Sequence, residues 1–183
     1  DYLAYKRVPP ELRKRVLAFY SYLYSSALSI ENAQLLRDLP PNLAMSITIA
    51  INRRLIAHCP IFRGRSHSCI MHLLQCLQPL VFVPNQVIAR EGEKGGALYF
   101  LNRGACKVYQ GYGTGDERHV NTIVDHGFFG EKSMYSAFSR VNATVIAVTY
   151  CDAMALLHED FTQVIALYPV GTGTGLACCR QVA

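Results

Sequence analysis

Polar and apolar positions change rhythm along this chain and divide it into a helical part and a strand-forming part. After Pro9-Pro10, the run ELRKRVLAFYSYLY places Leu12, Val16, Phe19, Tyr20 and Leu23 at helical spacing behind a proline start. Ser29 serves as the N-cap of a second, shorter helix, with Asn32 where a capping box would hold Glu. Pro40-Pro41 ends that helix and starts another through Ala44, Ile47, Ala50, Ile51 and Leu55. Between about Pro60 and Pro79 the period stays helical, with Ile70, Leu73, Leu74 and Leu77 on one face. Beyond Leu80 the texture is different. The short runs LVFVP, QVIAREG, ALYFLNRG, ACKVYQG, HVNTIV, ATVIAVTYC and DAMALLHED are punctuated by glycines and polar turns, which predicts a small all-β barrel or roll. Residues 160–168 close the pattern as a helix ended by Pro169. The expected class is α+β: an amino-terminal helical region, then a jelly-roll-like β-roll with flanking helices.

Candidate chemistry concentrates in GFFGEKSMYSAFSRVNAT, residues 127–144. It reads as a strand end, a glycine turn, one short helix and a polar approach to another strand. Gly127 and Gly130 allow close approach of the backbone to a ligand, and Phe129-Gly130-Glu131 opens the helix. A helix start offers unpaired N–H groups and a positive dipole end, which suit a phosphate. Glu131 beside them suits a sugar hydroxyl. The pair of signals points to a cyclised sugar phosphate, although a glycine turn before a short helix is also common as plain structure.

Composition narrows the alternatives. A chain of 183 residues fits one or two small domains and buries roughly 70% of its extended surface. Hydrophobic residues make up 51%, ample for a core, and no apolar run reaches the length of a membrane span. The polar start DYLAYKRVPPELRKR carries neither an initiator Met nor a signal peptide, so a piece of a longer protein is expected. Of the net charge of +5, much lies at Lys6, Arg7, Arg13, Lys14 and Arg15, then at Arg53, Arg54, Arg63 and Arg65. Such clusters suit solvated helix faces, salt bridges to a neighbouring subunit, nucleic acid or an anionic membrane. Seven cysteines without a CxxC pair fit buried thiols in a reducing compartment. His67, Cys69 and His72 lack a second ligand pair, so no metal is expected. The repeat GTGTG near the end lacks the Lys and preceding strand of a phosphate loop and reads as a flexible tail after about residue 169.

Taken in order, YLAYKRVPPELRKRV, LIAHCPIF, VIAREGEKGGALYFLNRG, FFGE and TYCDAMALLHEDFTQVIALYP resemble one family over residues 1 to about 169. It is the C-linker plus cyclic-nucleotide-binding region of tetrameric cation channels, of the hyperpolarisation-activated, cyclic-nucleotide-gated and related potassium channel kind. The resemblance implies a helical C-linker over residues 1–58 and a nucleotide-binding homology domain over 59–183. It further implies a tetramer beneath a membrane pore, cAMP or cGMP as ligand, no other cofactor, and a cytosolic location for a fragment that is itself soluble. By position, Gly130, Glu131 and Lys132 would approach the ribose and phosphate. Val108 and Ile123 would line the purine slot, or serve as ordinary roll core, with Asn121 at its edge. Ala143 and Thr144 would continue the cassette into the next strand.

One departure from the family bears on affinity. The family places arginine and threonine directly before the alanine of this segment, where the arginine pairs with the cyclic phosphate. Here Val141 and Asn142 stand there, and Arg140 is one position early. A one-residue shift turns a side chain to the other face of an extended strand, so Arg140 reaches the phosphate only if the loop bulges, with Asn142 donating in place of threonine. Weak nucleotide binding coupled to gating is the expected function; ligand-independent gating or assembly by a degenerate domain is the alternative. A transcription regulator would need a DNA-reading helix-turn-helix beyond the lid helix, and no residues remain for one. A kinase regulatory subunit would show a second roll and an upstream inhibitory basic segment. No nucleophile, base and orienting residue recur at a spacing that suggests an enzyme.

Overall fold

Proline and apolar spacing start the first helix where expected: α1 runs Pro10–Ser26, with Glu11 at its positive end. The computed structural model describes residues 8–26, 39–134 and 139–168, together with residue 6. The helix expected from Ser29 and the glycine-threonine tail lie outside the described residues. The chain divides into two units, 1–46 and 47–183. In the first, Lys14 sits 3.5 Å from Glu11 as an exposed pair of little energetic weight, and Leu12, Leu17 and Tyr20 are exposed along α1.

The helix expected through Leu55 is two helices, α2 (Pro41–Ile51) and α3 (Arg53–His58). Asn52 stands between them at φ −91°, ψ 9°, and its Nδ2 donates to the Thr48 carbonyl at 2.8 Å. Such local side-chain bonding competes with the helical ladder and favours a break there. The helical stretch expected from Pro60 to Pro79 is also shorter. It comprises a 3-10 turn at Pro60–Phe62, a left-handed Gly64 (φ 67°) and α4 at His67–Gln75. Ser66 caps α4 by accepting from the Cys69 N–H at 3.3 Å.

Eight strands follow in two antiparallel four-stranded sheets. The first holds β1 (Gln78–Phe82), β3 (Ala97–Arg103), β6 (Phe128–Phe129) and β8 (Cys151–Leu157), in the order β1-β8-β3-β6. The second holds β2 (Val87–Ala89), β4 (Ala105–Gln110), β5 (Arg118–Val124) and β7 (Thr144–Ala147), in the order β2-β7-β4-β5. Pro79 lies inside β1, which therefore begins before the change of texture at Leu80. An edge strand tolerates a residue without an N–H, and β1 is an edge. The closing helix α5 begins at His158, two residues earlier than expected, with Glu159 and Asp160 in its first turn.

The strands β3 and β8 of the first sheet are buried on both faces, whereas the edge strand β1 is largely exposed. Along β3, Leu98 and Phe100 enter a core shared with α4, α5 and the Pro60–Phe62 turn, whereas Tyr99 and Leu101 face a second core between the sheets. Along β8, Met154 and Leu156 join the helical core and Cys151 and Ala153 the inter-sheet core. The two residues of β6 split likewise, Phe128 to the helical core and Phe129 to the other. Tyr99 stacks on Phe129 with ring centroids 5.1 Å apart. Cys106 and Cys151 meet in the inter-sheet core with sulfurs 3.7 Å apart; its hydrogen bond with Cys151 and its burial push the Cys106 thiol up. Cys59, Cys69, Cys76, Cys106 and Cys151 form no disulfide among the described residues. Among the described residues no group of His, Cys, Asp and Glu is placed to hold a metal, and no helix is long and apolar enough to cross a membrane.

Two-sided burial gives two expectations. Leu156→Ala and Leu101→Ala, on opposite faces of the same sheet, should each cost about 2–5 kcal/mol in urea unfolding, whereas Val124→Ala, 57% exposed on the edge strand β5, should stay within about 0.5 kcal/mol. Burial raises the Tyr99 phenol above its ordinary value of 10.0, so folding favours its neutral form. The associated stability is complete below about pH 10 and falls as pH rises through the folded-state value. Tyr99→Phe should therefore show a shallower alkaline loss of the urea midpoint than the parent chain.

Candidate functional site

The β2–β3 and β6–β7 connections and residues of both sheets line a cavity of about 410 Å³. Its apolar wall comes mainly from Ile88, Tyr99, Val108, Ile123, Phe129 and Val145. Its polar side is built from the β2–β3 loop and from residues 130–133 and 140–143. Arg90, Lys94, Lys132 and Arg140 line it against only two carboxylates, Glu93 and Glu131, which leaves the cavity with an excess of positive charge. Arg90 lies 3.8 Å from Glu93 as an exposed pair, too solvated to neutralise either group firmly.

Backbone pairing sets the geometry of the polar side. Gly95 N–H donates to the Ser139 carbonyl at 2.8 Å, Val141 N–H to Glu93 at 2.9 Å, and Gly92 N–H to Val141 at 2.8 Å. Lys94 and Arg140 form an antiparallel bridge within this short ladder. The segment before β7 is thus held against the β2–β3 loop, and the side chains of residues 140–143 are offered to one cavity.

Gly130 fixes the other polar wall. Its φ of 87° is left-handed, and a Cβ there would fall 2.5 Å from the Ala97 carbonyl oxygen of β3. The glycine is required because this turn is pressed onto the sheet, a reason separate from any ligand. Gly127, read from sequence as a second point of ligand approach, does not line this cavity. A Cβ at Gly127 would meet Ile123 Cγ2 at 2.5 Å, so its need is packing within the β5–β6 turn. The short helix expected after Gly130 is described as a four-residue 3-10 turn, Glu131–Met134, closed by Ser133 N–H on the Gly130 carbonyl at 3.0 Å. Residues 135–138 lie outside the described residues. One turn aligns few peptide dipoles, so the described segment brings a smaller field to an anion than an α-helix would.

Nine of the sequence-derived candidates line this one cavity: Val108, Asn121, Ile123, Gly130, Glu131, Lys132, Arg140, Asn142 and Ala143. Thr144 does not. It is 2% exposed, and its Oγ1 accepts from the Glu91 N–H at 3.1 Å, tying β7 to the β2–β3 loop. Val108 and Ile123 both pack on the inter-sheet core and line the cavity, so the two roles left open for them coexist. The Glu131 carboxylate and the Lys132 ammonium have no hydrogen-bonding or ionic partner among the described residues.

Arg140 reaches the cavity but is partly engaged: its Nη1 donates to the Gly92 carbonyl at 2.6 Å. That bond occupies one of the five N–H donors of the guanidinium. Val141 lines the cavity as well, with its own N–H and carbonyl already used in the ladder. Sequence reasoning missed Arg90, Lys94 and Tyr99. The run REGEKGG carried the signal for the first two, because a charged glycine-containing loop between strands ends beside whatever the roll encloses. Tyr99 was hidden inside an apolar strand.

Comparisons with known proteins agree with this architecture. The cyclic nucleotide-binding domain family matches residues 79–168, which include both sheets apart from Gln78 and nearly all of the cavity. The voltage-gated inwardly rectifying potassium channel KCNH6 of Gallus gallus is 27% identical over 170 residues, 92% of this chain and 14% of that channel. KCNH2 of Sus scrofa is 26% identical and KCNH7 of Mus musculus 27%, with the same coverage of both chains. The chain thus spans about 14% of the length of these relatives. Residues 79–168 match the cyclic nucleotide-binding domain family, and the chain is similar to a region of potassium channels.

Proposed function

We propose that this chain is the cytosolic regulatory region of a tetrameric potassium or related cation channel, and that its roll holds cAMP or cGMP weakly. The observation that carries the reading is the convergence of nine sequence-derived candidates on one cavity of about 410 Å³. That volume lies within the roughly 300–1,000 Å³ usual for small-ligand sites. The apolar wall at Val108 and Ile123 takes the purine, with Asn121 at its edge. Glu131 accepts from a ribose hydroxyl, which suits a carboxylate without another partner among the described residues. Arg140, Lys132 and Lys94 supply positive charge toward the phosphate, and Asn142 donates a neutral hydrogen bond.

Residues 1–58 act as the C-linker in this reading, joining the domain to a pore and to three other subunits at the cytosolic face of a membrane. Ligand acts on the pore only through its differential affinity for the domain's two states, so a weakly held nucleotide shifts gating little. The role is regulatory rather than enzymatic.

The bond from Arg140 to Gly92 favours a second reading, in which the domain serves ligand-independent gating or subunit assembly. A guanidinium already bonded to a carbonyl, with valine at the position the family gives to arginine, pairs a phosphate incompletely. The two readings separate by calorimetry on the 183-residue chain. Weak binding predicts measurable heat with cAMP or cGMP at millimolar concentration; no heat with either nucleotide would leave only the second reading. Val141→Arg with Asn142→Thr restores a charge-assisted contact from a position that lines the cavity, and should tighten binding by about tenfold or more. An unchanged isotherm would show that the missing arginine is not what limits affinity.

A further inference from the structure

A second cavity, of about 290 Å³, lies within the 47–183 unit between the end of α2, α3, the end of β3 and the β5–β6 turn. Its chemistry differs from the first. Leu55, Phe100 and Phe128 make its wall apolar, and Phe100 is almost fully buried; Leu101 borders it while its side chain packs in the inter-sheet core on the other face of β3. The ionisable groups that line it are Arg54, His58, Cys59 and His126; neither Asp nor Glu does. Asp125, the carboxylate next to His126 in sequence, accepts from the Gly104 N–H at 2.6 Å and does not line the cavity.

Two basic side chains meet there without a counter-ion. Arg54 Nη1 is 2.8 Å from His126 Nε2. A guanidinium only donates, so this nitrogen of His126 accepts and its proton sits on Nδ1. His58 Nδ1 lies 2.7 Å from the Arg54 carbonyl and is the donor there. No ion pair among the described residues involves Arg54, His58 or His126. His126 also adopts a left-handed backbone (φ 68°), a conformation that His, like Asn and Asp, takes more readily than most side chains. Its N–H donates to the Leu101 carbonyl at 2.7 Å, and Leu101 N–H donates to Gly127 at 2.8 Å. The fold therefore sets an exposed guanidinium and imidazole together beside an apolar wall.

We infer that this cavity is a second ligand site, separate from the nucleotide cavity, for a single-chain amphiphile with a phosphate head. The apolar wall takes the chain. Arg54 and His126 hold the head through the remaining guanidinium donors and the His126 Nδ1–H. The small volume favours one short chain over a nucleotide, and the apolar wall gives inorganic phosphate alone little to bind.

The test is an NMR titration of the ¹⁵N-labelled 183-residue chain with octyl phosphate, octanol and inorganic phosphate. Octyl phosphate should shift amides around Arg54, Leu101 and His126, and should bind at least about tenfold more tightly than either part alone. Arg54→Met should weaken it by about tenfold. His126→Asn should do the same while keeping a residue that tolerates the left-handed backbone, and an unchanged thermal midpoint would show that its fold is intact. Flotation with phosphatidylcholine vesicles doped with phosphatidic acid separates the sources of the ligand. Flotation that Arg54→Met abolishes identifies a bilayer lipid, and octyl phosphate binding without flotation identifies a free metabolite. Equal binding of octanol, binding indifferent to both substitutions, or no shift with octyl phosphate would each overturn the assignment.

Discussion

The burial of one sheet's central strands on both faces is the constraint on which the rest of this domain depends. β3 and β8 must present apolar side chains alternately to a helical layer and to a second sheet. A strand in that position cannot show the polar–apolar alternation of a half-exposed strand, and ALYFL runs apolar without interruption. The second sheet meets this demand only in part: β7 is buried at all four positions. Its edge strand β5 is mostly exposed, and only Ile123 among its residues packs on the inter-sheet core. Helices α4 and α5 then fold over the outer face of the first sheet because Leu98, Phe100 and Leu156 would otherwise meet water.

Much of this layering was legible in the sequence. The repeated short runs between glycines and polar turns located most of the strands, and the helical spacing of Leu73 and Leu74 located the helix beside them. What escaped was set by side-chain bonds and chain topology rather than by periodicity. The break at Asn52 depends on an amide reaching the Thr48 carbonyl, and an isolated helical pattern gives no sign of it. Pro79 sits within a strand because β1 falls at a sheet edge, which is a property of strand order. The start of α5 at His158 likewise follows from where β8 runs out of partners.

The polar end of the roll shows the same division. FFGE announced the turn at Gly130, yet the physical need for glycine there is the Ala97 carbonyl, which comes from a strand more than thirty residues earlier. Thr144 looked equivalent to its neighbours in the sequence, but alternation along β7 turns it to Glu91 and away from the cavity. Arg140 lay one position from where the family resemblance would put a cation. The ladder between 92–95 and 139–141 brings it to the cavity and at the same time gives its guanidinium a carbonyl partner. Such pairings between distant segments leave no local trace in a chain.

The two-residue strand β6 has a mechanical consequence. Phe128 and Phe129 sit on opposite faces of the same sheet, one peptide unit apart, and Phe128 lines both cavities. Both rings hang from one short backbone segment paired to Tyr99 and Phe100 of β3, so a shift of that segment, though not a turn of one ring about its own side-chain bonds, moves both. The dipeptide therefore pins the two cores to one point of the sheet, Phe128 in the helical core and Phe129 in the stack with Tyr99. A displacement of that one backbone segment is thus felt in both cores at once.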